Sequence, residues 1–134
     1  MTEALAQLLG DGDALLDAWL RRQAELGRTR ENLLGGGDLR QQSRQFLAVL
    51  TDALKRNAPP SVEDPAWQDV RAFLDELSRA RALQGFSPTE TATFVFSLKQ
   101  PLFERARTVH ASDAARVAEL TWDATVLLDG LGLY

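Results

Sequence analysis

The chain has 134 residues and a mass of 14.8 kDa, enough for one domain and too few for two. Fifteen basic against nineteen acidic side chains give a net charge of −4, which argues against a general nucleic-acid binder. With no cysteine, a disulfide framework and a thiolate metal site are both excluded. There are 23 Leu and 19 Ala but only seven Val and no Ile. Helix formers dominate and strand formers are scarce, so the expected fold class is all-α. The first ten residues hold Glu3 and no Lys or Arg, unlike a secretion signal. No stretch approaches the roughly 18 uncharged apolar residues that a membrane span needs. A cytoplasmic domain without membrane contact is the expectation.

Punctuation divides the chain into six expected helices. The first runs from Thr2 to Leu9 and is broken by Gly10-Asp11-Gly12. Asp13 caps the second, whose apolar positions Leu15, Leu16, Trp19, Leu20 and Leu26 recur at helical spacing. Gly27 ends it, and a loop follows through Leu33, Leu34 and Gly35-Gly36-Gly37. Asp38 caps the third helix, with the stripe Leu39, Phe46, Leu47, Leu50, Ala53 and Leu54. Asn57 to Pro60 stops it, because two prolines cannot continue a helix.

Asp64-Pro65 opens the fourth helix as N-cap and first-turn proline. Its inward face is Trp67, Val70, Phe73, Leu74 and Leu77, and Gly85 ends it. Ser87-Pro88-Thr89-Glu90 is the clearest local signal: a capping box with proline in the first turn. The fifth helix then runs to about Thr108, with a kink expected between Ser97 and Pro101, where proline removes a helical amide. Ser112 caps the sixth helix, which continues to about Asp129.

The last two helices are apolar on more than one side. Ala92, Phe94, Val95, Phe96 and Leu98 point in several directions along the fifth. On the sixth, Val117, Leu120, Ala124, Leu127 and Leu131 form one stripe, while Ala118, Trp122 and Val126 form another. A helix on a monomer's surface needs one apolar face, and a second face needs a second partner. Three readings stand: central burial, pairing with another chain, or a ligand surface. For pairing, the first stripe is the expected interface.

Candidate chemistry is sparse. The one histidine, His110, falls in a predicted turn, whereas a proximal haem ligand should project from a helix into an apolar pocket. Carboxylates are dispersed beside arginines, as on solvated faces, and no Gly-x-Ser-x-Gly elbow or phosphate loop is present. Catalytic, metal and cofactor sites are therefore not expected. Arg21-Arg22, Arg28 and Arg30 form the densest basic cluster, which fits a solvated helix end. Trp19, Trp67, Phe94 and Trp122 are core anchors or, as the alternative, the lining of a small-molecule pocket.

The run from Ser78 to Phe103, centred on Gly85-Phe86-Ser87-Pro88-Thr89-Glu90, resembles the N-terminal sensory domain of RsbR-type co-antagonists of the RsbT kinase, the RsbRD-like domain of bacterial stressosome regulators. Asp38-Leu39-Arg40 through Phe46-Leu47 fits the same family, as does the ending Leu127 to Tyr134. The resemblance implies a globin-like, non-haem, six-helix domain. It also implies a homodimer that relays a stress signal to a C-terminal STAS domain and to partner-switching proteins, with no catalytic residue. The ending, apolar up to Tyr134, is expected to lead into such a domain. The alternative function is a haem- or ligand-binding globin-like carrier or gas sensor.

Overall fold

Leu- and Ala-rich segments separated by Gly, Pro and capping side chains fold here as a set of packed helices. The computed structural model describes residues 2–10, 13–26, 36–56 and 63–132. Over these the elements are α1 (Thr2–Leu9), α2 (Asp13–Leu26), α3 (Gly36–Lys55), α4 (Gln68–Leu83), α5 (Pro88–Phe96), α6 (Lys99–Val109) and α7 (Ala114–Gly132), with no strand among the described residues. The class is all-α. The expected helices are present, with the fifth divided into α5 and α6.

Several ends follow the expected chemistry. Asp64 accepts a hydrogen bond from the Ala66 amide at 2.9 Å, and Pro65 opens a short 3-10 turn, Pro65–Trp67, that leads into α4. At the end of α4 the Phe86 amide reaches the Arg81 carbonyl at 2.9 Å and the Gly85 amide reaches Ala82 at 3.1 Å. That pattern needs a left-handed residue, and Gly85 supplies it with φ of 94°. Both bonds of the capping box form: the Glu90 amide donates to Ser87 Oγ at 3.2 Å, and the Ser87 amide donates to Glu90 Oε1 at 3.0 Å.

Other expectations are corrected. The third helix starts at Gly36, so Asp38 lies inside its first turn rather than in front of it. Asp113, not Ser112, caps the last helix, its Oδ1 accepting from the Arg116 amide at 3.0 Å. That helix runs on to Gly132. The expected kink falls at Ser97-Leu98, which divide the helix into α5 and α6 while keeping helical φ and ψ. Pro101 has no amide to give, and here the chain re-enters helix at Lys99, so Pro101 falls in the first turn of α6, where its missing donor costs nothing. The stops at Gly27 and at Asn57 to Pro60 lie outside the described residues, as does the loop at Leu33-Leu34.

The helices pack around one apolar centre. α3 touches α1, α2 and α4; α6 and α5 both lie against α7; α2 crosses to α6. Trp19 from α2 sits where these layers meet, fully buried. Its ring lies 4.9 Å from Phe94 and 5.8 Å from Phe46, and Phe46 lies 5.8 Å from Phe73. The indole N–H donates to Ser97 Oγ at 2.8 Å, and that hydroxyl donates to the Phe94 carbonyl at 2.7 Å. The break between α5 and α6 thus supplies the polar partner that a buried tryptophan needs.

Candidate functional site

The core takes up the apolar sides of the fifth helix. Phe94, Val95 and Leu98 are all buried, and Phe96 is half-buried, with the Lys99 ammonium 5.1 Å from its ring centre. These positions do spread around α5, and they are covered because α5 is packed against both α4 and α7. Hence α5 presents no apolar outer face.

α7 is different. Leu120, Ala124, Leu127, Leu128 and Leu131 are buried against the rest of the chain, and Val117 is half-buried. The stripe expected to pair with a second copy therefore faces its own core. The physical reason is simple: α5 and α6 flank α7 on that side and take up its aliphatic face. The other stripe is the one that faces out. Trp122 is 69 % exposed and Val126 39 %, with Ala115 and Ala118 exposed above them. These positions recur at three- and four-residue spacing, so they form a continuous strip rather than scattered apolar residues. Thr125 turns its hydroxyl back to the Thr121 carbonyl at 2.8 Å.

Charge borders this strip. Arg116 pairs with Glu119 at 3.9 Å. Asp123 has a buried Oδ2 with no hydrogen-bond partner. Desolvation, and then the neighbouring Glu119 carboxylate, raise its pKa above the usual carboxylate value.

The end of α7 is held from one place. Lys99, just past the break, forms an ion pair with Asp129 while lying over the Phe96 ring. Gly132 packs so closely on Phe96 that a Cβ there would run into the ring. Thus α7 closes on the α5–α6 junction only because position 132 has no side chain.

A second feature has no local signature in the sequence. Arg81 of α4 is buried, its guanidinium 4.3 Å from the ring centre of Phe94 and 5.2 Å from that of Phe86. Nε and Nη2 both donate to Gln42 Oε1 at 3.4 Å. Burial pushes its pKa down to about 10, with the Glu90 carboxylate working the other way, so the group is a cation at neutral pH. One side chain thereby links α3, α4 and α5. Its partners are separated from it by up to 39 positions in the chain, which is why no local pattern announces it.

The four aromatic candidates take different places. Trp19 and Phe94 pack with tilted rings in the aromatic centre, Trp67 is buried in the turn before α4, and Trp122 points outward. Two clefts on the described surface bear on these residues. One, about 470 Å³, runs between α3 and the α1–α2 corner beside Asp13 and Arg44. The other, about 330 Å³, lies between α4, α5 and the last turn of α7. Neither is lined by any of the four aromatic residues. His110 is the C-cap of α6 and lines neither cleft, so the haem reading gains no support. Among the described residues no cluster of three or more His, Cys, Asp or Glu suits a metal, and no helix is long and apolar enough to cross a membrane.

The sequence model of the RsbT co-antagonist protein rsbRD N-terminal domain matches residues 13–134. The chain belongs to the rsbRD N-terminal domain family. That match covers nearly the whole chain, including α7 and both sides of the α5–α6 break. No curated protein and no solved structure matches the chain. Membership in the rsbRD N-terminal domain family implies a regulatory role of the stressosome type.

Proposed function

We propose that this rsbRD N-terminal domain is a non-enzymatic sensory unit, globin-like and free of haem, that pairs with a second copy through the outer strip of α7. The pair relays a signal along α7 to a C-terminal STAS domain and its partner-switching proteins in the cytoplasm. One observation carries the pairing: α7 exposes Trp122 and Val126 in line with Ala118, after its other apolar stripe has been used by the core. Exposing a tryptophan costs the hydrophobic stabilisation that burial would give. A second α7 offers the same apolar strip in a self-complementary arrangement.

A signal acts on such a pair only through different affinity for two arrangements of it. The clamp at Lys99, Asp129, Phe96 and Gly132 is where a change at the α5–α6 junction reaches the end of α7. Light scattering over a rising concentration series tests the pairing. A mass moving from one to two chains supports it. A single-chain mass at the highest concentration removes it.

A further inference from the structure

The cleft of about 470 Å³ between α3 and the α1–α2 corner holds two opposite charges that the fold leaves apart. Asp17 of α2 and Arg40 of α3 form an ion pair at 3.0 Å. One turn away from that pair on each helix stand Asp13, in the first turn of α2, and Arg44 of α3. Both line the cleft and both are exposed, and among the described residues neither has an ion-pair or hydrogen-bond partner. The other polar lining is committed or distant. The Thr51 hydroxyl donates to the Leu47 carbonyl at 2.7 Å, and Asp52 pairs with Arg56. Lys55 follows Arg44 by eleven residues, about 16 Å along the helix axis, and so marks the far end. Beneath the charged end the lining is apolar, with Leu9, Leu16 and Leu47 buried at its base. Gly10 and Ala48, the smallest lining residues, leave the space above that base open.

A carboxylate and a guanidinium that line one end of a cleft without pairing suit a ligand that carries both complementary charges. A lone anion would be repelled by Asp13 and a lone cation by Arg44. The head group of an α-amino acid meets both: its ammonium donates to a carboxylate, and its carboxylate accepts from the guanidinium fork. The apolar base favours an aliphatic side chain over a polar one. We propose that this cleft binds a free α-amino acid with an aliphatic side chain, its ammonium on Asp13, its carboxylate on Arg44 and its side chain over Leu16 and Leu47. The binding claim stands on the cleft itself; its use as a signal input rests on the sensory reading above.

Leucine is a suitable probe, with 4-methylpentanoate lacking the ammonium and 3-methylbutylamine lacking the carboxylate. Titration of the isotope-labelled chain, followed by backbone amide NMR shifts, reads both the site and the affinity. Expected are saturable shifts around Asp13, Arg44 and Ala48 with leucine, and binding about tenfold weaker or worse with either analogue, the scale of one charge-assisted hydrogen bond. Arg44→Gln, at an exposed position, weakens leucine binding by the same factor. So does Asp13→Asn, and if that change unsettles the first turn of α2, as the helical spectrum would show, Arg44→Gln carries the test. Lys55→Gln leaves binding within about twofold, because a charge so far along the helix is screened. Shifts that do not saturate, an analogue that binds as well as leucine, binding that survives Arg44→Gln, or a loss in Lys55→Gln as large as that in Arg44→Gln overturn the proposal. Loss of binding leaves the light-scattering result untouched, and a single-chain mass leaves the titration untouched, so the two claims fail separately.

Discussion

Two tryptophans of this chain show how one residue type serves two ends. Trp19 is fully buried, with its N–H on Ser97 Oγ and its ring against Phe46 and Phe94. Trp122 is 69 % exposed on the outer side of α7. Both lie on Leu- and Ala-containing helices at ordinary apolar spacing. The difference comes from their neighbours: α3, α5 and α6 close over Trp19, whereas the helices beside α7 occupy only one of its two stripes. An apolar residue left over after the core is complete carries more information about function than one inside it.

Removing the buried ring should have the largest effect. Trp19→Ala leaves a cavity in the aromatic centre and removes the indole donor to Ser97 Oγ, so it should lower unfolding free energy by about 3–5 kcal/mol in urea titration. A loss no larger than that of a surface mutation would mean that Trp19 does not anchor the core. Next is Gly132→Ala, whose Cβ meets Phe96. It should cost about 1–3 kcal/mol by the same titration and displace the last turn of α7, visible as amide shifts near Phe96. Ser87→Ala breaks the capping box and should cost about 1 kcal/mol, read as a lower thermal midpoint.

Smaller still is Asp123→Asn. The Asp123 carboxyl is raised on folding, so the folded state binds its proton more tightly than the unfolded state does. Its ionised form therefore weakens the fold at neutral pH, and that cost disappears as pH falls through the carboxyl range. Asp123→Asn should stabilise slightly at pH 7 and lose this advantage near pH 3, as paired melts at the two values would show. A variant that gains stability only in acid would contradict the assignment. Trp122→Glu should change the stability of the single chain least of all, by no more than about 0.5 kcal/mol, while changing its association.

Local chemistry made much of the fold legible. Ser87 through Glu90 announced a capping box, Asp64-Pro65 a helix start and Gly85 a stop, because each signal is complete within a few residues. The two stripes of α7 were visible for the same reason. Which stripe met the core was not, because periodicity defines faces without saying what covers them. The same limit applies at Ser97: a proline four residues on points to the kink, but the partner that its hydroxyl meets there is Trp19, 78 positions away. Arg81 lay in plain view as one more helical cation, and only the fold brings Phe86, Phe94 and Gln42 around it. The candidate site on α7 is thus half legible: spacing places Trp122 on a second stripe, and only the fold shows that stripe uncovered.

Sedimentation equilibrium of the wild-type chain and Trp122→Glu, run side by side, tests the outer strip of α7 most directly. The wild type should sediment as a pair of chains, and Trp122→Glu as single chains with an unchanged helical spectrum. A wild type that stays single, or a pair that survives the glutamate intact, would contradict the assignment of this surface.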